Sequence, residues 1–319
     1  MTTETELGPP GRTTRHTVVV PASADRVFTW LSDAAVWPTI FPPTVHIEQL
    51  SSNGDDERLA IWATANGEVK SWTSRRRLDR GQRTIVFLQE KSAHPVASMG
   101  GMWAVEELSG NRSLVRLDHQ YRAVDDDPAA TQWIADAVET NSTSELEALA
   151  GHAAHGPRET MTILDDVEID SADAQNVFDF LNDAQHWADR LPHVSAVDFR
   201  TVGDTGAQIL RMDTAARDES THTTESVRVS FPGERIVYKQ TTPPALMRSH
   251  IGCWSFTRTE AACRIWSRHN VVIATDNIGA VLGARATVDD ARNLIRDSLS
   301  ANSRSTLTHA KEYAERLRR

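Results

Sequence analysis

Polar and apolar positions alternate through most of this chain, and Gly, Asn and Pro interrupt the alternation at intervals. Thr17-Val18-Val19-Val20, ended by Pro21, predicts a strand. Ser23 then caps a short helix with Val27, Phe28 and Leu31 on one face, and Asp33 to Trp37 predicts a second short helix stopped by Pro38. Period-two stretches predict six strands, over 44–50, 58–64, 69–78, 84–90, 97–108 and 114–121. Their separators, Asn53-Gly54, Asn66-Gly67, Arg80-Gly81 and Gly110-Asn111, suit tight hairpins because Gly and Asn tolerate positive φ. Asp127 before Pro128 predicts the start of a long helix ending at Gly151, with Trp133, Ile134, Ala137, Val138, Leu146 and Leu149 as its buried stripe.

The same order then returns. Val27-Phe28, Asp33, Trp37 and Pro42 recur as Val177-Phe178, Asp183, Trp187 and Pro192, each 150 residues on. Trp72-x-Ser74-x-Arg76 returns as Thr224-x-Ser226-x-Arg228, and Gly101-x-Trp103 as Gly252-x-Trp254. The second copy is predicted to carry a strand over 163–169, a helix capped by Ser171, a run of strands and a closing helix over 287–317. A repeat this long closes its own core, which predicts two domains in tandem rather than a solenoid. The predicted class is α+β, each copy a curved antiparallel sheet around a long C-terminal helix with an interior cavity. The expected boundaries are a disordered Gly- and Pro-rich tail at 1–13, a first domain at 14–151, a linker at 152–161 and a second domain at 162–319.

Strand parity selects the candidate site. Over 69–78, Trp72, Ser74, Arg76 and Leu78 share a face, and the apolar members choose the inside. A buried guanidinium is costly unless it meets a carboxylate or a polar ligand, so Arg76 is either a site residue or half of an internal salt bridge. Ser226 and Arg228 repeat the motif. His119 and His269 hold equivalent inward positions on the last strand of each copy, either as proton carriers or as hydrogen-bonded core residues. Trp37, Trp72 and Trp103, with Phe41 and Tyr121 nearby, are candidates for an aromatic wall in the first copy; Trp187, Trp254 and Trp266, with His250, are candidates in the second. Core packing is the alternative for each aromatic residue.

Composition narrows the classes. The 319 residues carry a net charge of -10, which argues against a nucleic-acid partner. No apolar stretch approaches the roughly 20 residues that cross a bilayer, so no membrane partner is expected. Two cysteines, Cys253 and Cys263, and a start without a basic-then-apolar leader pattern predict a reducing cytoplasm. Glycine-rich nucleotide loops, Cys-x-x-Cys, His-Glu-x-x-His and Gly-x-Ser-x-Gly are all missing, so no cofactor and no metal are expected. His152-x-x-His155 has the spacing of a ligand pair, yet it falls in the expected linker. Arg75, Arg77, Arg80 and Arg83 form a local basic patch, the candidate docking surface for an acidic partner.

Val36-Trp37-Pro38-Thr39-Ile40-Phe41, Trp72-Thr73-Ser74-Arg75-Arg76, Gly81-Gln82-Arg83-Thr84 and the run from Phe231 to Thr242 resemble the aromatase/cyclases of bacterial type II polyketide synthases. That family has the helix-grip fold shared with steroid-transfer and birch-pollen-allergen proteins, and the tandem resembles its di-domain members. The resemblance implies a poly-β-ketone substrate held on an acyl carrier protein, possible contact with other synthase subunits, and an intramolecular aldol closure followed by loss of water. For the di-domain members it implies a chain reduced at its ninth carbon and joined between carbons 7 and 12. It implies Arg76 as the charge that stabilises the developing oxyanion, Ser74 with His119 or an ordered water as the proton relay, and the tryptophans as the pocket wall, with Arg228, Ser226 and His269 as their second-copy equivalents. Two departures stand out. A tyrosine found in some single-domain members falls near Thr44, and Thr224 replaces the strand tryptophan, leaving open whether the second pocket is catalytic or supports the first. The competing class is a non-catalytic carrier of a lipid, a quinone or another apolar ligand, since the same cavity serves both uses.

Overall fold

The computed structural model describes residues 11–154, 158–215 and 221–318. It divides into two compact units, Met1–His155 and Gly156–Arg319. In the first, β1 (Arg12–Val20) leads to α1 (Ala24–Ser32) and α2 (Trp37–Ile40). Six strands follow, β2 (Thr44–Asn53), β3 (Asp56–Ala65), β4 (Glu68–Asp79), β5 (Thr84–Lys91), β6 (Val96–Leu108) and β7 (Arg112–Ala123), and α3 (Pro128–His152) closes the unit. The sheet order is β1-β7-β6-β5-β4-β3-β2, so the hairpin ladder closes by the first strand pairing with the last. The second unit repeats this with β8 (Thr160–Asp170), α4 (Ala174–Asn182), α5 (Trp187–Arg190), β9 (Val194–Val202), β10 (Ala207–Ala215), β11 (Thr221–Phe231), β12 (Arg235–Thr242), β13 (Met247–Arg258) and β14 (Ala262–Ile273). Its order is β8-β14-β13-β12-β11-β10-β9, and α6 (Ile278–Leu282) and α7 (Val288–Leu317) follow.

Local chemistry accounts for the element ends. Ser23 accepts from the Arg26 amide, Asp127 accepts from the Ala130 amide at 2.7 Å, and Thr287 with Asp290 forms a reciprocal capping box at the start of α7. Gly54, Asn66, Gly67, Gly110 and Asn111 take positive φ in the hairpins. Four expectations are corrected. β1 already runs from Arg12, because its backbone pairs with Tyr121, so the expected tail is too long; residues 1–10 lie outside the described residues. Pro38 does not stop a helix but sits in the first turn of α2, where its missing N–H is harmless. Asp170, rather than Ser171, supplies the cap before α4, accepting from the Ala172 amide at 2.9 Å. α3 runs through His152, one residue into the expected linker, and His152 sets its ring edge-on to Trp30 at 4.8 Å; His155 lies outside the described residues.

The cavities lie where polar positions interrupt the apolar stripe of each long helix. Leu307, Ala310 and Ala314 of α7 join one core cluster, and Ala291 and Ile295 join another. Between them Ser298, Asn302, Ser303 and Thr306 hold helix and sheet apart around a cavity. In the first unit Leu146 and Leu149 pack into the main core while Ile134 and Val138 join a smaller cluster, and Asn141 and Ser142 border the cavity. The two units differ between last strand and closing helix: the first uses residues 124–127 and the second residues 274–287, which include α6.

Candidate functional site

The first cavity measures about 150 Å³ and is lined by Trp37, Trp72 and His119 among others. Arg76, Ser74, Phe41, Trp103 and Tyr121 do not line it. Phe41 and Trp103 stack on each other at 5.9 Å in the core, and Tyr121 packs with Ile134 and Val138. Ser74 donates to the Leu88 carbonyl at 3.2 Å. Arg76 is 3% exposed, and every arm of its guanidinium is committed: Nε donates to Glu57 at 2.6 Å, one terminal nitrogen donates to the Leu31 carbonyl at 3.0 Å and the other to the Ser32 carbonyl. It thus neutralises a carboxylate on β3 and caps the C-terminal end of α1. These five residues were expected at a pocket because sheet parity reports only inside or outside; it cannot say which inside positions face a void.

His119 remains at the cavity. Its ring lies edge-on to Phe87 at 5.5 Å, and Nδ1 has no hydrogen-bond partner among the described residues. Burial holds its pKa down to about 4, with His16 adding to the effect and Asp118 opposing it.

The second cavity is about twice as large, about 310 Å³, and it gathers Trp187, Ser226, Arg228, His250, Trp254 and His269. All six were expected there. Trp266 was not so placed: on the opposite parity of β14, it lies under the Arg264 guanidinium at 5.7 Å. Arg228 is 1% exposed, lies 5.1 Å over the Trp187 ring and donates from Nη2 to the Leu181 carbonyl at 2.5 Å. Its ladder partner on β10 is Gln208, where Arg76 faces Glu57 on β3. No carboxylate therefore answers Arg228 across the ladder. Its Nη1 and the Gln208 Oε1 have no hydrogen-bond partners among the described residues, and burial lowers its pKa to about 10. Ser226 donates to the Leu210 carbonyl at 3.4 Å.

Beside Arg228 lies a polar cluster. His250 Nδ1 is 2.8 Å from Gln240 Oε1, and its Nε2 is 2.9 Å from His269 Nδ1. His269 Nε2 is 2.6 Å from Ser303 Oγ and 3.2 Å from Ser267 Oγ, while the Tyr238 hydroxyl stands 3.3 Å from Nδ1. Sequence reading placed His250 and His269 but missed Ser303, Tyr238 and Gln240. A signal for Ser303 existed: Asn141-Ser142-x-Ser144 recurs as Asn302-Ser303-x-Ser305, now 161 residues on because of the longer connection before α7.

Tyr238 is seated by a glycine. A Cβ on Gly252 would lie 1.9 Å from the Tyr238 Cζ, so Gly252→Ala is expected to push the ring off His269. The expected result is a loss of about 1–3 kcal/mol of stability, read by thermal melting, together with reduced turnover.

Acid sensitivity follows from the same burial. Both His119 and His269 are held down to about 4, and His250 well below its usual value. The unfolded chain binds protons near pH 6.5 that the folded chain refuses. Stability is therefore full above that point and falls as pH drops toward 4, by roughly 1.4 kcal/mol per pH unit for each such histidine. A His119→Leu variant is expected to show a shallower decline in melting temperature between pH 6.5 and 4.5.

The basic patch is largely answered. Arg77 pairs with Asp56 at 3.3 Å, Arg80 with Asp55 at 3.0 Å and Arg83 with Asp25 at 2.6 Å, which leaves little net field for an acidic partner. Among the described residues no helix is long and apolar enough to cross a membrane.

Known proteins are similar to this chain across both of its units. Residues 12–154 match the family described as polyketide cyclase / dehydrase and lipid transport. The chain is 43% identical over 299 residues to the granaticin polyketide synthase bifunctional cyclase/dehydratase of Streptomyces virginiae, covering 92% of this chain and 97% of that one. It is 38% identical over 307 residues to the actinorhodin polyketide synthase bifunctional cyclase/dehydratase of Streptomyces coelicolor, covering 92% and 94%. Among solved structures, the di-domain ARO/CYC BexL of the BE-7585A pathway superposes with a TM-score of 0.86 at 51% identity, over 95% of this chain and 99% of that one. StfQ, the di-domain ARO/CYC of the steffimycin pathway, superposes with a TM-score of 0.80 at 30% identity, over 95% and 98%. With two tandem helix-grip domains, each enclosing a cavity, and relatives of this kind along almost its whole length, the chain belongs to the di-domain aromatase/cyclases of bacterial type II polyketide synthases, enzymes of the START and Bet v 1-like superfamily.

Proposed function

We propose that the second cavity closes and dehydrates the first ring of a poly-β-ketone delivered as a thioester by an acyl carrier protein. The family membership supports a cyclase and dehydratase. The resemblance to di-domain members supports a chain reduced at its ninth carbon and joined between carbons 7 and 12. Neither Cys253 nor Cys263 is in a disulfide, which fits a reducing cytoplasm.

The observation that carries the choice of cavity is the contrast between the two arginines. Arg76 is neutralised by Glu57 and does not line its cavity, whereas Arg228, which lines the larger cavity, has among the described residues no such carboxylate and keeps an unpartnered Nη1. In the ring-closing step an enol carbon attacks a ketone of the same chain, the new C–C bond forms, the attacked ketone oxygen becomes an alkoxide, and the proton released as the enol reverts to a ketone passes to that alkoxide. A fixed guanidinium in a dry site stabilises that charge more in the transition state than in the ketone. Trp187 and Trp254 supply rigid surface that bends the chain, and holding both carbons in contact converts a floppy encounter into a defined one. The first cavity, half as large, is assigned no chemical step.

The test is reconstitution with a minimal synthase and its ketoreductase, with products separated by mass spectrometry. Wild type is expected to divert spontaneous shunt products into one aromatised ring. An unchanged shunt profile would leave the cavity as a binding site only.

A further inference from the structure

We propose that Ser303, His269 and His250, oriented by Gln240, form a directional proton relay that drives the loss of water after ring closure, with the Ser303 hydroxyl as its cavity end. This rests on the preceding assignment of ring closure to the second cavity.

The hydrogen-bond chain fixes the direction. With its amide oxygen 2.8 Å from His250 Nδ1, Gln240 accepts, so His250 carries its proton on Nδ1 and presents a bare Nε2. His269 must then donate from Nδ1 across the 2.9 Å contact, which leaves its own Nε2 bare. Ser303, 2.6 Å away, donates its hydroxyl proton to that nitrogen. The order is that of a hydroxyl, a base and a group that orients the base. Ser303 lies inside α7, where a serine ordinarily turns its hydroxyl back on the helix backbone; here it is 2% exposed and aimed across at β14, at the cavity wall. Ser267 Oγ stands 3.0 Å from Ser303 Oγ and holds it in place.

The first domain is the internal control. It keeps His119 and Ser142 at equivalent positions, but Met99 stands where His250 does and Phe87 where Tyr238 does; Phe87 faces Gly101 across the ladder as Tyr238 faces Gly252. Without the second imidazole, the His119 Nδ1 and the Ser142 Oγ have no hydrogen-bond partners among the described residues. The relay is therefore particular to the second cavity.

In the step itself, the closed ring bears a hydroxyl next to a C–H. Ser303 Oγ takes the carbon-bound proton as its own proton passes to His269 Nε2, whose charge is shared with His250 through the Nδ1 proton. The C–H electron pair becomes the new C=C bond, the C–O bond breaks, and the departing oxygen receives the proton returned through Ser303. One water leaves, and the relay is restored with no oxidant or cofactor. Ser303 is the catalytic residue here, and His250 and Gln240 are positioning residues.

The experiment compares wild type, Ser303→Ala and His250→Met in the reconstituted full-length system, quenched early and resolved by mass. His250→Met borrows the residue that the first domain tolerates, so it remains informative should Ser303→Ala fail to melt like wild type. The expected result is accumulation of a ring-closed product one water heavier than the aromatic product, with dehydration slowed roughly 10²-fold and ring closure within a few-fold of wild type. Aromatic product formed by both folded variants at the wild-type rate would overturn the relay. So would reversion to unclosed shunt products, which would place these residues in ring closure. Shunt products from wild type itself would instead mark failure of the cyclase assignment.

Discussion

Arg228→Met is expected to abolish most ring closure, roughly a 10²–10³-fold loss in rate, while leaving the protein as stable as wild type or more so. The two effects have one cause. Arg228 is almost fully buried, donates through Nη2 to Leu181, lies over Trp187 and has no carboxylate on its ladder partner. A buried cation so poorly compensated costs stability, and methionine fills similar volume without that cost. A residue kept against the stability of its own fold is best explained by work done on a ligand. Thermal melting with product profiling checks both halves. Wild-type product from a folded Arg228→Met would remove the arginine from the reaction, and a marked drop in melting temperature would assign it a structural role.

The mirror-image substitution has the opposite signature. Arg76→Met leaves the part-buried Glu57 without its cation, and the Leu31 and Ser32 carbonyls without a donor, so the first domain is expected to lose about 3 kcal/mol. Replacing both partners, Arg76→Met with Glu57→Leu, is expected to recover most of that loss, because the stranded charge is gone. Ring chemistry in either variant should persist at temperatures where the first domain stays folded. The measurement is a double-substitution cycle by denaturant unfolding. Additivity of the two single effects would show that the pair is not coupled, and loss of activity in the stable double variant would return chemistry to the first domain.

These expectations differ from those drawn from strand parity and resemblance, which put Arg76 first and left open whether the pocket of Arg228 is catalytic. Arg76 and Arg228 occupy equivalent positions in near-identical local sequences, Ser-Arg-Arg and Ser-Val-Arg. What separates them is one residue on the adjacent strand, Glu57 against Gln208. That pairing depends on the register of two strands roughly 20 residues apart, which periodicity does not specify. The aromatic residues show the same limit. Trp37 and Trp187 both reach a cavity, but Phe41 and Trp103 stack into core, since a burial pattern is the same for a side chain packed on its neighbours and for one beside a void.

The sequence by itself determined the duplication, the α+β class, the strand-and-helix order and the family, because each rests on local signals: period-two and helical spacing, turn glycines, caps, and strings repeated 150 residues apart. Only the tertiary structure decided which inward residues share a cavity, which arginine is neutralised, and that Ser303, His269, His250 and Gln240 meet in one chain of hydrogen bonds. Ser303 comes from the closing helix and the others from three places on strands β12 to β14. Side chains so distant in sequence are brought together by sheet register and helix docking, and no local propensity encodes that distance.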